Sequence, residues 1–507
     1  MRRLPQWSLS VVAAGGCAAV LLSLLPVAPA SAAPGGAGRS AGLTAAAPPG
    51  DLTVANLALV GPGGARPVGA GTIVVRRDQP PVTVLVPVRR AGEAAFDLIA
   101  DAPGVSWAAT GRESAVVSVD VDGRYATDLV VTSARRTPRS LALGHLAGGV
   151  HRLTLRFAAD RSPAGASRVQ LRNLRLSVAA PGRTDAHLAR RHAPVLFGRV
   201  LPEHGTVFQN AVNDTPLLAW HEIQALPTPG LRRIVYSIIW SNEDGGTDSP
   251  ALMARWGRTT DIEWVYAVDV TASGDRVPGQ AYFHGPGHQT LPFAGRYEGD
   301  HPLLQTCTVN NTVCDHGDGP MRFFLAADQV RPERRARECL MDTNPWTYPV
   351  MAEELEREGK IENPSDPATP EVGDQRTYLY LEVDKDTAAP PAPGGAPGVA
   401  VLVRLRGDAT VYRSDHGRPS WSIARDDPAA TTVELPAGKG PADVVGIAIS
   451  RVPVTADNQA AVTVTDVNRA FFLGRNRLPQ PSFVAVHGLA VRLTAEAPTA
   501  TVWGSPA

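Results

Sequence analysis

Apolar and polar residues alternate in short runs over two long stretches of the chain, and a period of two predicts strands. In the first stretch the runs fall at 82–88, 96–100, 115–121, 129–132, 151–157 and 169–178, separated by turn pairs such as Asp122-Gly123 and Gly148-Gly149. Strands at this spacing with no helical period between them predict an antiparallel sandwich over 51–180. The pattern resumes at 399–405, 410–413, 431–435, 444–450, 461–467, 482–486 and 490–494. A second sandwich over 399–507 is the simple reading, and strands that complete a central domain are the alternative.

The region between, 183–385, reads as a β-rich domain dense in Trp, His and acidic residues. Its one helical period is 348–360, where Val350, Met351 and Leu355 recur with Pro349 in the first turn and Gly359 at the end. Residues 386–398 are too rich in Pro and Gly for a core element and predict a linker or a surface loop. The expected fold class is all-β, mainly antiparallel sandwiches or jelly rolls with a few short helices.

Arg2 and Arg3, an apolar run from 9 to 27 and Ala30-Ser31-Ala32 have the layout of a signal peptide over 1–32, followed by a flexible Ala/Gly/Pro leader over 33–50. The reading is export to the extracellular space; a lipid anchor on Cys17 is the alternative, opposed by the apolar residues that continue past it. No other run is long and apolar enough to span a bilayer. The 49 basic and 49 acidic residues balance, which disfavours nucleic acid as a partner. Basic charge is almost wholly Arg, with lysines only at 360, 385 and 439, the coding bias of a GC-rich, actinobacterial-like genome. Cys307 and Cys314 bracket TVNNTV and predict a local disulfide in an oxidising compartment, leaving Cys339 over. A zinc site of three thiolates lacks a CxxC pair.

The segment 113–157, ESAVVSVDVDGRYATDLVVTSARRTPRSLALGHLAGGVHRLTLRF, resembles the jelly-roll carbohydrate-binding modules of secreted bacterial proteins. It shares with them a strand ending in Val-Asp-Gly, a Leu-Gly-x-Leu-x-x-Gly-x-His turn and a closing Thr-Leu-Arg-Phe strand. The resemblance implies a sandwich and a glycan partner. Trp107, Arg124 and Tyr125 are the candidate sugar-stacking face, since an aromatic plane covers the apolar side of a pyranose; capping of the sandwich edge is the bland role.

The candidate chemistry concentrates in 233–270. Both faces of 234–240 are apolar, as in a buried central strand, whereas the next strand begins Asp261, Glu263 on one face with Ile262, Trp264, Tyr266, Val268 and Val270 on the other. Residues two apart share a face with their Cα atoms about 6.5–7 Å apart, so these carboxylates suit salt bridges to Arg255 and Arg258, a cation, or acid/base work with Glu222, Glu243 or Asp244 opposing. The loop SNEDGGTD adds Glu243, Asp244 and Asp248, hard oxygen donors that suit Ca²⁺, without the spacing of an EF-hand. Trp240 and Trp256 are further stacking candidates. His284 and His288, in FHGPGH, are four apart, but Gly285-Pro286-Gly287 forbids the regular helix that would align them on one zinc ion. His301, Asp315, His316 and Asp318 lie near the disulfide in sequence.

Tyr236-Ser237, the acidic loop and Gly257-Arg258-Thr259-Thr260-Asp261-Ile262-Glu263 resemble the core of the necrosis- and ethylene-inducing cytolysins, where acidic residues and a His hold a divalent cation on a β-sandwich. Carried over, Glu243 or Asp244 stands for the upstream acid and Asp261 and Glu263 for the last two. Arg258 and Thr260 replace both histidines of that family, and Arg258 cannot ligate a cation.

No G-x-S-x-G, HExxH, P-loop or dinucleotide glycine motif occurs, so serine hydrolase, zincin and nucleotide chemistry lack support. Glycoside hydrolysis needs only two carboxyls across a cleft and stays open. The reading is a secreted glycan-recognising protein, with a polysaccharide or cell-surface glycan as partner and an acidic, cation-assisted cleft; a noncatalytic envelope-interaction protein is the competing reading, and a cation-dependent cytolysin a third.

Overall fold

The computed structural model describes residues 71–182, 184–202, 205–243 and 248–505, with residue 57 and the short strands at 52–55, 58–61 and 64–67. The expected signal peptide, the leader, Cys17 and Asp244 lie outside the described residues. The protein is all-β, and the described residues form six sheets, antiparallel apart from two short parallel pairings, with a few short helices.

The first sandwich packs two sheets face to face. Arg168–Ala179, Gly92–Asp101 and Thr137–Leu146 run side by side in one; Val82–Val88, Gly149–Phe157, Ala115–Val121 and Arg124–Val131 do so in the other. Leu-Gly-x-Leu-x-x-Gly-x-His is the corner by which the chain leaves Thr137–Leu146 for Gly149–Phe157 in the facing sheet. Val84, Val86, Phe96, Val117, Leu153 and Leu171 are buried between the layers, the expected product of period-two alternation.

A six-stranded sheet forms the middle of the molecule, with the order Gln289–Pro292, Arg276–Gly285, Ile262–Val270, Arg232–Trp240, Pro216–Ala225, Gln329–Val330. Arg232–Trp240 is central because both its faces are apolar: Ile234, Tyr236, Ile238 and Trp240 join the core shared with the first sandwich, and Ile239 joins a second core with Leu218 and Ile262. Helix Thr347–Arg357 packs into that second core through Val350, Met351 and Leu355, close to its expected place at 348–360.

Tyr378–Thr387 pairs with Ala429–Glu434 and Val462–Phe472, and faces a sheet containing Gly398–Leu405 and Val444–Val452 across a core of its own. The Pro/Gly-rich stretch around 388–397 therefore links two strands of one sandwich.

Candidate functional site

The alternation of 261–270 is broken in the structure. Ile239 stands opposite Ile262, Ile238 opposite Glu263 and Ser237 opposite Trp264, but Tyr236 stands opposite Tyr266, so Val265 is a bulge. One extra residue reverses the side-chain faces. Trp264 therefore leaves the face of Tyr266 and Val268, and Glu263 is turned onto it. The continuous apolar face expected from Ile262 to Val270 is corrected by this bulge.

Upstream, helix Ser249–Trp256 starts with Pro250 in its first turn and stops at Gly257, whose φ of 65° is left-handed. A Cβ there would meet Thr431 N at 3.0 Å. The chain then runs buried through Arg258, Thr259, Thr260 and Asp261 into the strand. Trp240 N donates to the Asp261 carbonyl at 2.9 Å, and Asn311 Nδ2 donates to Asp261 Oδ2 at 3.1 Å and to the Asn242 carbonyl at 3.3 Å. Asn311 arrives from the loop closed by the Cys307–Cys314 disulfide. Only that disulfide was read from the sequence; the Asn310-Asn311 pair inside the bracket was the signal that its loop delivers an amide.

The two carboxyls of the strand differ in proton affinity. Burial, then the charges of Glu243 and Glu263, hold Asp261 well above the usual carboxylate range. Burial pushes Glu263 the same way, but the His284 imidazole and the Arg337 guanidinium outweigh it and keep it below its ordinary value. The surroundings thus favour the protonated form of Asp261 and the ionised form of Glu263, pushing the two proton affinities apart.

Arg258 does not bridge these acids as expected. Its Nε donates to Glu338 Oε1 at 3.1 Å, with both side chains all but sealed from water. Arg425, Arg337 and Arg258 lie 3.7, 4.6 and 5.6 Å from the Trp256 ring, so cations cover the indole that was a stacking candidate. His284 and His288 do come together with Glu263: the imidazole rings are 5.2 Å apart, and His284 also stacks on Trp264 at 5.1 Å.

Other expected residues lie elsewhere. Glu222 stands opposite Val235 and is paired with Arg331 at 2.7 Å, so it does not oppose Asp261 and Glu263. Asp248 is exposed just before helix Ser249–Trp256, while Glu243 is half-buried and acts on Asp261. Trp240 is fully buried, and so is Trp107, whose indole N–H donates to Glu354 at 2.9 Å; neither offers a face to a sugar. The Tyr125 hydroxyl donates to Asp128 and its ring lies 5.0 Å from Arg161, leaving it half-buried.

Arg124 has a different setting, which sequence reasoning missed. It pairs with Glu298 at 2.8 Å on the rim of a cleft of about 450 Å³ between the first sandwich and the middle of the molecule. Arg322 pairs with the same Glu298 at 2.8 Å, and Arg191 with Asp300 at 2.6 Å; Leu143 and Phe324 supply apolar wall. Deeper, Glu93 lies 3.2 Å from His145 Nδ1 and 3.5 Å from His301 Nε2. Burial opposes its charge, but the two imidazoles prevail and hold Glu93 below the usual range. No short motif announces this cleft, because its parts come from residues 93 to 324.

No family model matches the sequence, and no curated protein matches it. Among solved structures, the chain is similar to the CBM36-1 domain of a multidomain xylanase from the hindgut metagenome of Trinervitermes trinervoides: 13% identity, 26% of this chain, 98% of that one, TM-score 0.18. It is similar to a family 35 carbohydrate-binding module from Clostridium thermocellum at 14% identity over 25% and 91% of the two chains, TM-score 0.16. The sugar-binding EclA C-terminal domain gives 17% identity, 23% and 87%, and 0.16. At these scores the likenesses bear no inference about ligand or reaction. The cytolysin resemblance finds no support among these comparisons.

Proposed function

We propose that this chain is an exported protein that recognises a glycan in the cleft walled by Arg124, Glu298, Arg322, Arg191 and Asp300. The observation that carries the reading is the pairing of three guanidinium groups with two carboxylates around a space of about 450 Å³. Planar, fork-shaped donors and bidentate acceptors beside apolar wall match a ring that alternates hydroxyls with C–H faces. The Cys307–Cys314 disulfide supports an oxidising destination.

The test is retention of the full-length protein on a panel of plant, fungal and bacterial polysaccharides, with released reducing ends recorded in parallel. Retention on one of them that falls at least about tenfold in Arg124→Ala and in Glu298→Gln supports the reading. No retention anywhere, or retention indifferent to both substitutions, overturns it. Released reducing ends would add cleavage to recognition.

A further inference from the structure

Glu263, His284 and His288 each present a donor atom, and these atoms lie within 4.8 Å of one another. Their convergence is built by the local fold. Glu263 lies on Ile262–Val270, two residues before the Val265 bulge. His284 comes from the adjoining strand Arg276–Gly285, with its ring fixed against Trp264. Gly285 and Gln289 then pair across the tight turn Pro286–His288, in which Gly287 and His288 have φ of 69° and 57°, and this turn folds His288 back beside His284. The turn does what a regular helix would otherwise do for histidines four apart.

A second observation concerns the donors themselves. His284 is 5% exposed, and its buried Nδ1 makes no aligned hydrogen bond although Glu263 Oε2 is 3.3 Å away. Two donors of a tetrahedral ion with bonds of about 2.0–2.1 Å stand about 3.3 Å apart. A nitrogen and an oxygen at that separation, not aimed at each other, are disposed as two corners of one coordination shell.

We propose that Glu263, His284 and His288 bind one borderline divalent transition-metal ion, with Zn²⁺ as the reference case. Two imidazoles and one carboxylate select such an ion over Ca²⁺ or Mg²⁺, which require shells of oxygen. Three protein donors leave a coordination position for water or for a ligand hydroxyl or carboxylate. Glu263 supplies the negative charge, and the exposed His288 leaves the site reachable from solvent. The site differs from the Glu243, Asp244 and Asp248 loop expected to hold Ca²⁺, since Asp248 is not among the converging donors.

The test titrates Co²⁺ into chelator-dialysed full-length protein and follows the visible absorption of the ion as it leaves the hexa-aquo state, then adds Zn²⁺ and, separately, Ca²⁺. The expected result is one Co²⁺ per chain, displaced by Zn²⁺ and not by Ca²⁺ in excess. Affinity should fall at least about tenfold in His284→Ala and in His288→Asn. Asn tolerates the left-handed backbone at position 288, so an unchanged melting temperature certifies the fold of that variant, which decides the matter alone if His284→Ala does not fold. Absence of stoichiometric Co²⁺ or Zn²⁺ binding, binding undiminished in His288→Asn, or displacement by Ca²⁺ overturns the proposal.

Discussion

Asp261 is 1% exposed, with Glu243 and Glu263 acting on it as like charges, so ionising it in the folded state is costly. An amide of the same shape avoids that cost and still accepts from Asn311. Asp261→Asn should therefore stabilise the metal-free protein at pH 7 by an amount on the order of 1 kcal/mol. The sign follows from linkage: the folded protein holds a proton that the unfolded chain releases near the ordinary Asp value of about 4. Stability contributed by this group is thus full below that value and declines as pH rises toward the elevated folded value. The gap between variant and wild type should widen from pH 4 to pH 8 in thermal melts; a variant less stable at pH 7 would show that Asp261 is ionised and paired. At this scale the sequence was informative about identity and blind to environment. The i, i+2 spacing of Asp261 and Glu263 was plain, but the bulge at Val265 has no residue signature, and Asn311, Glu338 and Arg337 come from far along the chain.

Helix Ser249–Trp256 and the segment after it are fastened by opposite charges that water does not reach. Removing one member of a buried pair strands the other, so Glu338→Ala should cost about 3–5 kcal/mol, read as a fall in the denaturant midpoint, because it leaves Arg258, Arg337 and Arg425 to repel one another around Trp256. Burial disfavours the Glu338 charge, but Arg258, Arg337 and Arg425 prevail and depress its proton affinity. Its stabilisation is hence present above the ordinary Glu range and is lost as pH falls through the depressed value. The disulfide loop is the other fastening. Replacing both Cys307 and Cys314 by Ser should cost about 2–3 kcal/mol from a closed loop of this length and loosen Asn311, so hydrogen exchange should rise at Asn311 and Thr312. Exchange unchanged in that loop would show that Thr308 and Thr312, whose hydroxyls lie 2.7 Å apart, hold it unaided. Helix Ser249–Trp256 was legible in principle, with Asp248, Pro250 and Gly257 in the places of cap, first turn and stop, yet its eight residues lie amid loop-like composition. Strand Thr137–Leu146 escaped notice because Pro138, Arg139 and Gly144 interrupt its alternation.

The first sandwich and the central sheet share one apolar core, which runs from Leu57 to Ala327 and includes Phe96, Leu141, Tyr236 and Phe324. Backbone bonds cross the seam, from Ala142 N to the Phe324 carbonyl at 2.8 Å and from Ala326 N to the Ser140 carbonyl at 3.2 Å. Side chains cross it as well: Trp107 Nε1 to Glu354 Oε2, Arg357 to the Trp107 carbonyl and Arg139 to the Leu217 carbonyl. The last sandwich has a separate core, joined to the rest through Tyr378, Tyr380, Phe471 and Leu473. Such a division of core predicts how the molecule comes apart. Leu141→Ala empties a fully buried place in that continuous core and should cost about 2–5 kcal/mol. Because the core is continuous, that loss should lower the unfolding temperature of the central sheet together with that of the first sandwich, as one calorimetric transition, and leave a later transition of the last sandwich near its original temperature. A first sandwich that melts alone, with hydrogen exchange in Arg232–Trp240 still protected, would show that the seam is a contact between independent bodies. The same seam governs how recognition is to be tested. The cleft at Arg124 has walls on both of its sides, so cutting the chain near residue 180 destroys the site whether or not it binds glycan, whereas Arg124→Ala and Glu298→Gln alter the cleft and spare the core.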